Sequence, residues 1–398
     1  MLERVSNLAR ANASRLRMLR TVMVAAMLTV ATLATAVEMR GDHPDHYVVK
    51  RGDTLWDIAG RFLRKPWLWP EIWQANPQIR NPHLIYPGDV ISLAYLDRVA
   101  VQQGPRTEAP VNAVPLSEVE PFLKDLKIVP TIDNLPYVVG LEDNRMRGIE
   151  GHVAYIRGME GAQPGQRYLV VRAQKRYRMI NNNGGCCDQF DARDLDSRGQ
   201  IAFGLSDGSL WDTPIYVNHG TELLGYELMT QTTATVTRGA SGPDQLVTLM
   251  MDAEGRDVRV GDRIIPVEAQ TYDLQFFPHP PKQQAAYGRL SVMSVADGYR
   301  TGGTHDVIAI SGGAREGIDN GTVFSIWRHG DRTVDRVRYD LDRDPAMTPT
   351  DGHVRLPDEF AGHAMVFRTF DNVSYALVMS SVKPARVGYE LKHPDATE

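Results

Sequence analysis

The alternation of apolar and polar positions changes character twice along the chain. In HYVVKRGD, Tyr47 and Val49 alternate with Val48 and Lys50 and the run stops at Gly52, the period of a short strand. Asp53 or Thr54 can cap a following helix, whose Leu55, Ile58, Ala59, Phe62 and Leu63 share one face at i, i+3, i+4 spacing. Lys65-Pro66 ends that helix. Pro70 at a first-turn position, with Glu71 behind it, opens a second through Ile72, Trp73 and Ala75, which stops at Asn76-Pro77. Tyr86-Pro87-Gly88-Asp89 then reads as a turn into the strand Val90-Ile91-Ser92-Leu93. Residues 46–94 therefore predict a small β-α-α-β module.

Beyond it the pattern fades. Residues 95–135 are polar and dotted with proline, the composition of an extended, semi-stiff tether, with EPFLKDL able to form one helical turn. From about Pro136 onward, β-branched runs punctuated by glycine take over: PYVVG, RYLVVRAQ, DRIIPVE, HDVIAISGG, GTVFSIWRHG, HAMVFRTF and SYALVMSS. Their spacing suggests β-domains of barrel or sandwich type. The punctuation also repeats. GMEGAQPGQRYLVVR echoes GAREGIDNGTVFSIWR, TELLGYELM echoes DEFAGHAMVF, and QLVTLMMDAEGRDVRVGDRI echoes VSYALVMSSVKPARVGYEL. Two related β-units follow, 136–268 and 288–393, and the fold class expected is α+β with a mainly-β C-terminal half.

The stretches YVVKRGDTLWDIAGRF, WPEIWQANPQI and NPHLIYPGDVISL together resemble a LysM module, a unit that binds peptidoglycan and chitin. The resemblance implies two helices on one face of a two-stranded antiparallel sheet, and a shallow groove for N-acetylglucosamine-containing glycan. By that resemblance the glycan-binding positions are Gly52, Asp53, Thr54 and Leu55 on one side of the groove. On the other they are Asn76, Pro77, Ile79, Leu84, Ile85 and Tyr86. A glycine that lets backbone approach a sugar, beside an apolar floor with a few aimed amide or carbonyl groups, suits such a ligand.

The same run holds four of the chain's six tryptophans. A module this small lacks core volume, and large rings bury area efficiently. Trp56 and Trp73 are read as core. Trp67 and Trp69 lie in the insertion PWLWP and are read as packed, folding back on the second helix; the alternative is an exposed pair for sugar stacking or a partner protein.

The C-terminal half carries a second resemblance. PYVVG, LLGYEL, GDRIIP, FFPHPP, GAREGIDNGTVFSIWR, LPDEFAGHAMVFRTFDNVSYALVM and VGYELKHP are similar to the C-terminal region of the LysM proteins associated with type IV pilus secretins. That region is related to a C-terminal domain of a flagellar basal-body assembly protein. The resemblance implies a periplasmic, cell-wall-associated adaptor whose partners are peptidoglycan and an outer-membrane secretin ring. Residues 174–215 are longer and less regular than that pattern.

Charge and chemistry narrow the choice. The net charge of −5 argues against a partner bound by phosphate neutralisation, so no nucleic acid is expected. Arg10, Arg15, Arg17 and Arg20 precede the apolar run TVMVAAMLTVATLATAV, which closes with Ala34-Thr35-Ala36, so residues 1–36 read as a secretory signal; an uncleaved anchor is the alternative. Cleavage there would remove five Arg and one Glu and take the net charge from −5 to −9.

The two cysteines, Cys186 and Cys187, are adjacent and cannot staple a fold. They read as thiols in a Gly/Asn-rich surface loop, with an intermolecular disulfide as the alternative. His219-Gly220 lies downstream of both, the wrong order for an L,D-transpeptidase, and no helix follows Cys187 for a Cys/His amidase. His353 and His363 supply no zinc-peptidase spacing and are read as capping loops or facing solvent. Asp188, Asp191, Asp194 and Asp196 lack the closing Glu of a calcium loop. The expectation is a protein that is not an enzyme, with no catalytic residue, metal or cofactor; the alternative left open is a wall-modifying enzyme or its activator, since paired carboxylates for glycoside cleavage meet only in the fold.

Overall fold

The structure, a computed structural model, describes residues 44, 46–76, 79, 85–93, 116–180, 189–194, 222–252, 255–267, 277–283, 290–296, 301–335, 337 and 353–397. The leader 1–36, Pro77, Leu84, Cys186, Cys187 and the first part of the tether lie outside the described residues. Among the described residues no helix is long and apolar enough to cross a membrane.

The N-terminal module is built as its pattern demands. Strand β1 (His46–Val48) pairs antiparallel with β2 (Val90–Ser92). Between them lie helix α1 (Leu55–Phe62), a 3-10 turn at Pro66–Leu68 and helix α2 (Trp69–Gln74). Thr54, not Asp53, is the N-cap of α1. Its hydroxyl accepts from the Asp57 amide and the Asp57 carboxylate accepts from the Thr54 amide, a reciprocal capping box. The α1 face Leu55, Ile58, Ala59, Phe62 is buried.

Helix α3 (Leu116–Lys124) and strand β3 (Leu126–Val129) follow. They fall inside 95–135 and correct the tether reading there: Val119, Phe122, Leu123, Leu126 and Ile128 are buried, and β3 pairs with a strand of the first β-unit over Leu126–Val129. Isolated apolar residues between prolines found partners that local pattern could not reveal.

The first β-unit contains β4 (Tyr137–Leu141), β5 (Val153–Arg157), β6 (Arg167–Ile180), β7 (Gln189–Asp194), β8 (Glu222–Ser241), β9 (Leu246–Met251) and β10 (Arg263–Pro266). The second contains β11 (Val292–Val295), β12 (Thr301–Gly302), β13 (Val307–Ser311), β14 (Val323–Arg328), β15 (Arg332–Val334), β16 (His353–Arg355), β17 (Glu359–Thr369), β18 (Val373–Ser381), β19 (Ala385–Arg386) and β20 (Glu390–Lys392).

In the first unit the ring of hydrogen-bonded neighbours runs β4-β5-β9-β8-β6-β10 and closes through Arg263 opposite Tyr137. In the second it runs β11-β13-β18-β17-β14-β20 and closes through Ser291 opposite Glu390. Each is a closed barrel with the same strand order.

The registers match residue by residue. Val138 opposes Ile156 and Leu141 opposes Ala154; in the second unit Val292 opposes Ile310 and Val295 opposes Ile308, with a bulge at the same point in both. Closure repeats as well. Gly261 donates to the Val138 carbonyl at 2.8–2.9 Å, as Gly388 does to Val292, and Val138 donates to Asp262 as Val292 does to Tyr389. These residues point inward: Val138, Ile156, Val170, Val236 and Ile264 form one interior, and Val292, Ile310, Ile326, Val366 and Leu391 the other.

One echo read from the sequence is out of register. Gly165 donates to the Val236 carbonyl and Gly321 to that of Val366, so β17 corresponds to the second half of β8. The ELLGYELM part of that echo instead lies in the N-terminal extension of β8, which leaves the barrel and pairs with β3 and β6. Both units interrupt the same connection: β7 lies between β6 and β8, and the β15-β16 hairpin lies between β14 and β17.

A buried carboxylate joins the units. Glu227 on β8 accepts from the hydroxyls of Tyr177 on β6 and Tyr375 on β18, each at 2.8 Å, and all three residues are fully buried.

Candidate glycan-binding site

The β1-β2 register places the two candidate loops at the same end of the ladder. Val49 donates to the Asp89 carbonyl and Gly88 donates back to that of Val49, both at 2.8 Å. The chain therefore enters loop 50–54 and leaves loop 85–89 side by side. Gly52 has φ +88°, a left-handed conformation that favours glycine, and a Cβ there would meet nothing within 4 Å.

Most of the acceptors and donors at these loops are turned into the protein. The Asp53 carboxylate accepts from Tyr47 Oη at 2.7 Å, the Lys50 amide at 2.8 Å and Arg61 Nη2 at 2.9 Å. Burial and this carboxylate hold the Tyr47 phenol above its ordinary value. Thr54 is occupied by the cap of α1. Asp89 accepts from the Tyr86 amide at 3.1 Å, closing the turn. Asn76 is fully buried: its Nδ2 donates to the carbonyls of Ile72 at 2.7 Å and Ser92 at 2.8 Å, and its Oδ1 accepts from the Ser92 amide at 2.8 Å. This amide clips the end of α2 to β2.

Of the sequence-derived positions, Gly52 is exposed and Tyr86 half-buried, whereas Asp53, Thr54, Leu55, Asn76, Ile79 and Ile85 are buried. Leu55, Ile79 and Ile85 belong to the hydrophobic core of the module. The side chains of Asp53 and Thr54 thus shape loop 50–54, and that of Asn76 fixes α2 on β2. The surface left at this end is the backbone around Gly52, the exposed Lys50 and Arg51, and the Tyr86-Pro87-Gly88 turn. Sequence pattern could not reveal the Asn76 clip, because Ser92, which supplies two of its three partners, is 16 residues away.

The indoles face elsewhere. Trp56, Trp67 and Trp69 are buried and Trp73 is partly so. Trp67 lies 4.8 Å and Trp56 6.4 Å, centroid to centroid, from the imidazole of His363 on β17. Trp73 stacks on Phe277 at 5.3 Å and 15°, and Trp69 meets the same ring at 5.8 Å. Lys65 pairs with Asp395 at 2.8 Å. The PWLWP rings are packed, but against the second β-unit as well as their own module. His363, read as capping a loop or facing solvent, instead sits among Trp56, Trp67 and Phe360, and burial pushes its pKa down to about 4.

A separate polar cluster gathers His329 just after β14, Asp358 just before β17, and Glu390 and Lys392 on β20. His329 lies 3.7 Å from Asp358 and 3.6 Å from Glu390, a set whose ligand atoms could reach one cation. Lys392 already takes that role, with Nζ 2.9 Å from Asp358 and 3.6 Å from Glu390. Burial opposes ionisation of Asp358, but the Gly330 amide and Lys392 outweigh it and hold the carboxyl at about 2.

With this geometry in view, the module has a name: residues 47–94 match the LysM domain family. A LysM domain is a binding module for N-acetylglucosamine-containing glycans of peptidoglycan, not a catalytic one, and it suggests a cell-wall-associated, extracytoplasmic protein. A curated relative, the uncharacterized protein YqbP of Bacillus subtilis (strain 168), is 40% identical over 60 residues. The shared stretch is 13% of this chain and 27% of that protein, so the likeness spans about a quarter of the relative's length.

Proposed function

We infer that the protein is a non-enzymatic periplasmic adaptor: its LysM domain holds peptidoglycan glycan strands, and its β-rich half docks on an outer-membrane type IV pilus secretin, fixing that ring to the wall. The observation that supports the first part is the LysM match together with two loops meeting at one end of the β1-β2 ladder. The second part rests on the resemblance of the C-terminal half to secretin-associated proteins. Modest affinity per module would suffice, because many copies around a ring gain avidity through effective concentration.

In this reading the sugar rests on the Gly52 backbone edge and the Tyr86 turn, with Asp53, Thr54, Leu55, Asn76, Ile79 and Ile85 shaping the cradle; Pro77 and Leu84 stay candidates by the LysM resemblance alone. Purified sacculi should retain the wild type and lose a Tyr86→Ala/Gly52→Trp variant whose melting curve shows it folded; equal retention would count against the cradle. The same sacculi should release no muropeptides. A changed muropeptide profile would favour a wall-modifying enzyme or its activator. Crosslinking in cells should capture a secretin, and capture of a flagellar ring component would favour a flagellar basal-body accessory protein.

A further inference from the structure

We propose that the LysM domain and the second β-unit form one coupled binding body, in which glycan held by the two loops is felt at β17 and at the Phe277 segment. The proposal rests on the glycan-binding reading above and extends it from the loops to what stands behind them.

One indole stands behind loop 50–54 and another behind Ile79, in the segment that precedes loop 85–89. Trp56 follows the loop 50–54 directly in α1, and its ring lies against His363 of β17. On the other side Trp73 Nε1 donates to the Ile79 carbonyl, in the segment between α2 and β2, while its ring stacks on Phe277. A displacement of loop 50–54 or of Ile79 therefore reaches a ring that rests on the second unit.

The receiving side is fixed in turn. His279, two residues beyond Phe277, is pinned to the second barrel: its amide donates to the Gly321 carbonyl at 3.0 Å and its carbonyl accepts from Val323 at 2.9 Å. His363 pairs across the sheet within β17, opposite Ser325 of β14 and Ser380 of β18. Trp56 and Trp67 are buried against His363, and close-packed rings there transmit displacement because the gaps that would absorb it are absent, whereas Phe277 is held in place by the neighbouring His279 bonds. Ordering of the loops by a ligand is then shared with β17, and by linkage anything that orders β17 tightens the loops.

Hydrogen exchange of the full chain with and without a chitin pentasaccharide tests this. Added protection is expected at 50–57 and 85–93 and also at 359–369 and 277–279. Phe277→Ala, which touches neither loop, should weaken pentasaccharide binding about five-fold or more. A circular dichroism melt of this variant reports whether it is folded, and the wild-type exchange pattern decides the matter without it. Binding with protection confined to the module, and an unchanged affinity in Phe277→Ala, would overturn the coupling and leave the glycan reading standing. If neither pentasaccharide nor sacculi bind, the glycan reading falls and the coupling falls with it.

Discussion

At Asn76, a glycan-binding position by the LysM resemblance, the side-chain amide makes three bonds that join α2 to β2. Asn76→Ala would strand the buried amide of Ser92 and weaken the carbonyl partners. A loss of roughly 2–4 kcal/mol follows from leaving such groups unsatisfied. Urea unfolding followed by tryptophan fluorescence checks it, and Asn76→Asp should not rescue, because a carboxylate faces two carbonyls. An unchanged midpoint would remove the clip from the account. Thr54 and Asp53 tell the same story: residue types that suit a sugar also suit a helix cap and a loop brace, and geometry chose the latter.

At the scale of elements, the informative contact is between the LysM helices and β17. His363 is held neutral by burial, with a pKa of about 4 against an ordinary 6.5. Between those values the unfolded chain binds more protons than the folded one, so stability rises with pH across that window. The His363 contribution is complete above about pH 6.5 and is lost as the pH falls through about 4. Denaturation midpoints of the wild type should drop over this range more steeply than those of His363→Gln. Parallel slopes would show that the imidazole is not desolvated by the indoles. Helix α3 and strand β3 belong to the same scale. The sequence offers one helical turn at EPFLKDL and no strand, because a nine-residue helix with an internal proline carries little propensity of its own. It forms where Phe122 reaches Phe367 and Tyr375, and where Arg368 donates to the carbonyls of Phe122 and Leu123.

For the whole molecule, Glu227 joins the two barrels through one tyrosine from each. Removing the carboxylate leaves the buried hydroxyls of Tyr177 and Tyr375 without their acceptor, at about 1–3 kcal/mol each. Glu227→Ala should therefore be strongly destabilised and should split a shared unfolding transition of the barrels into two, whereas Glu227→Gln keeps an acceptor for the hydroxyls and should lose less. Calorimetry separates these outcomes, and a single unshifted transition in Glu227→Ala would refute the clasp.

The amino-acid sequence by itself determined what short-range pattern can encode. It set the β-α-α-β order and LysM character of residues 47–94, the buried face of α1, the β-rich nature of the second half, and the glycine turns at Gly165, Gly321, Gly261 and Gly388 that punctuate both barrels. These depend on backbone freedom and periodicity, which act over a few residues. Tertiary structure alone decided the true register of the repeat, the ordering of α3 and β3, and the inward use of Asp53, Thr54 and Asn76. It also decided that the indoles rest on His363 and Phe277. Each of these is settled by partners far apart in the chain, whose burial and hydrogen bonding no local pattern contains.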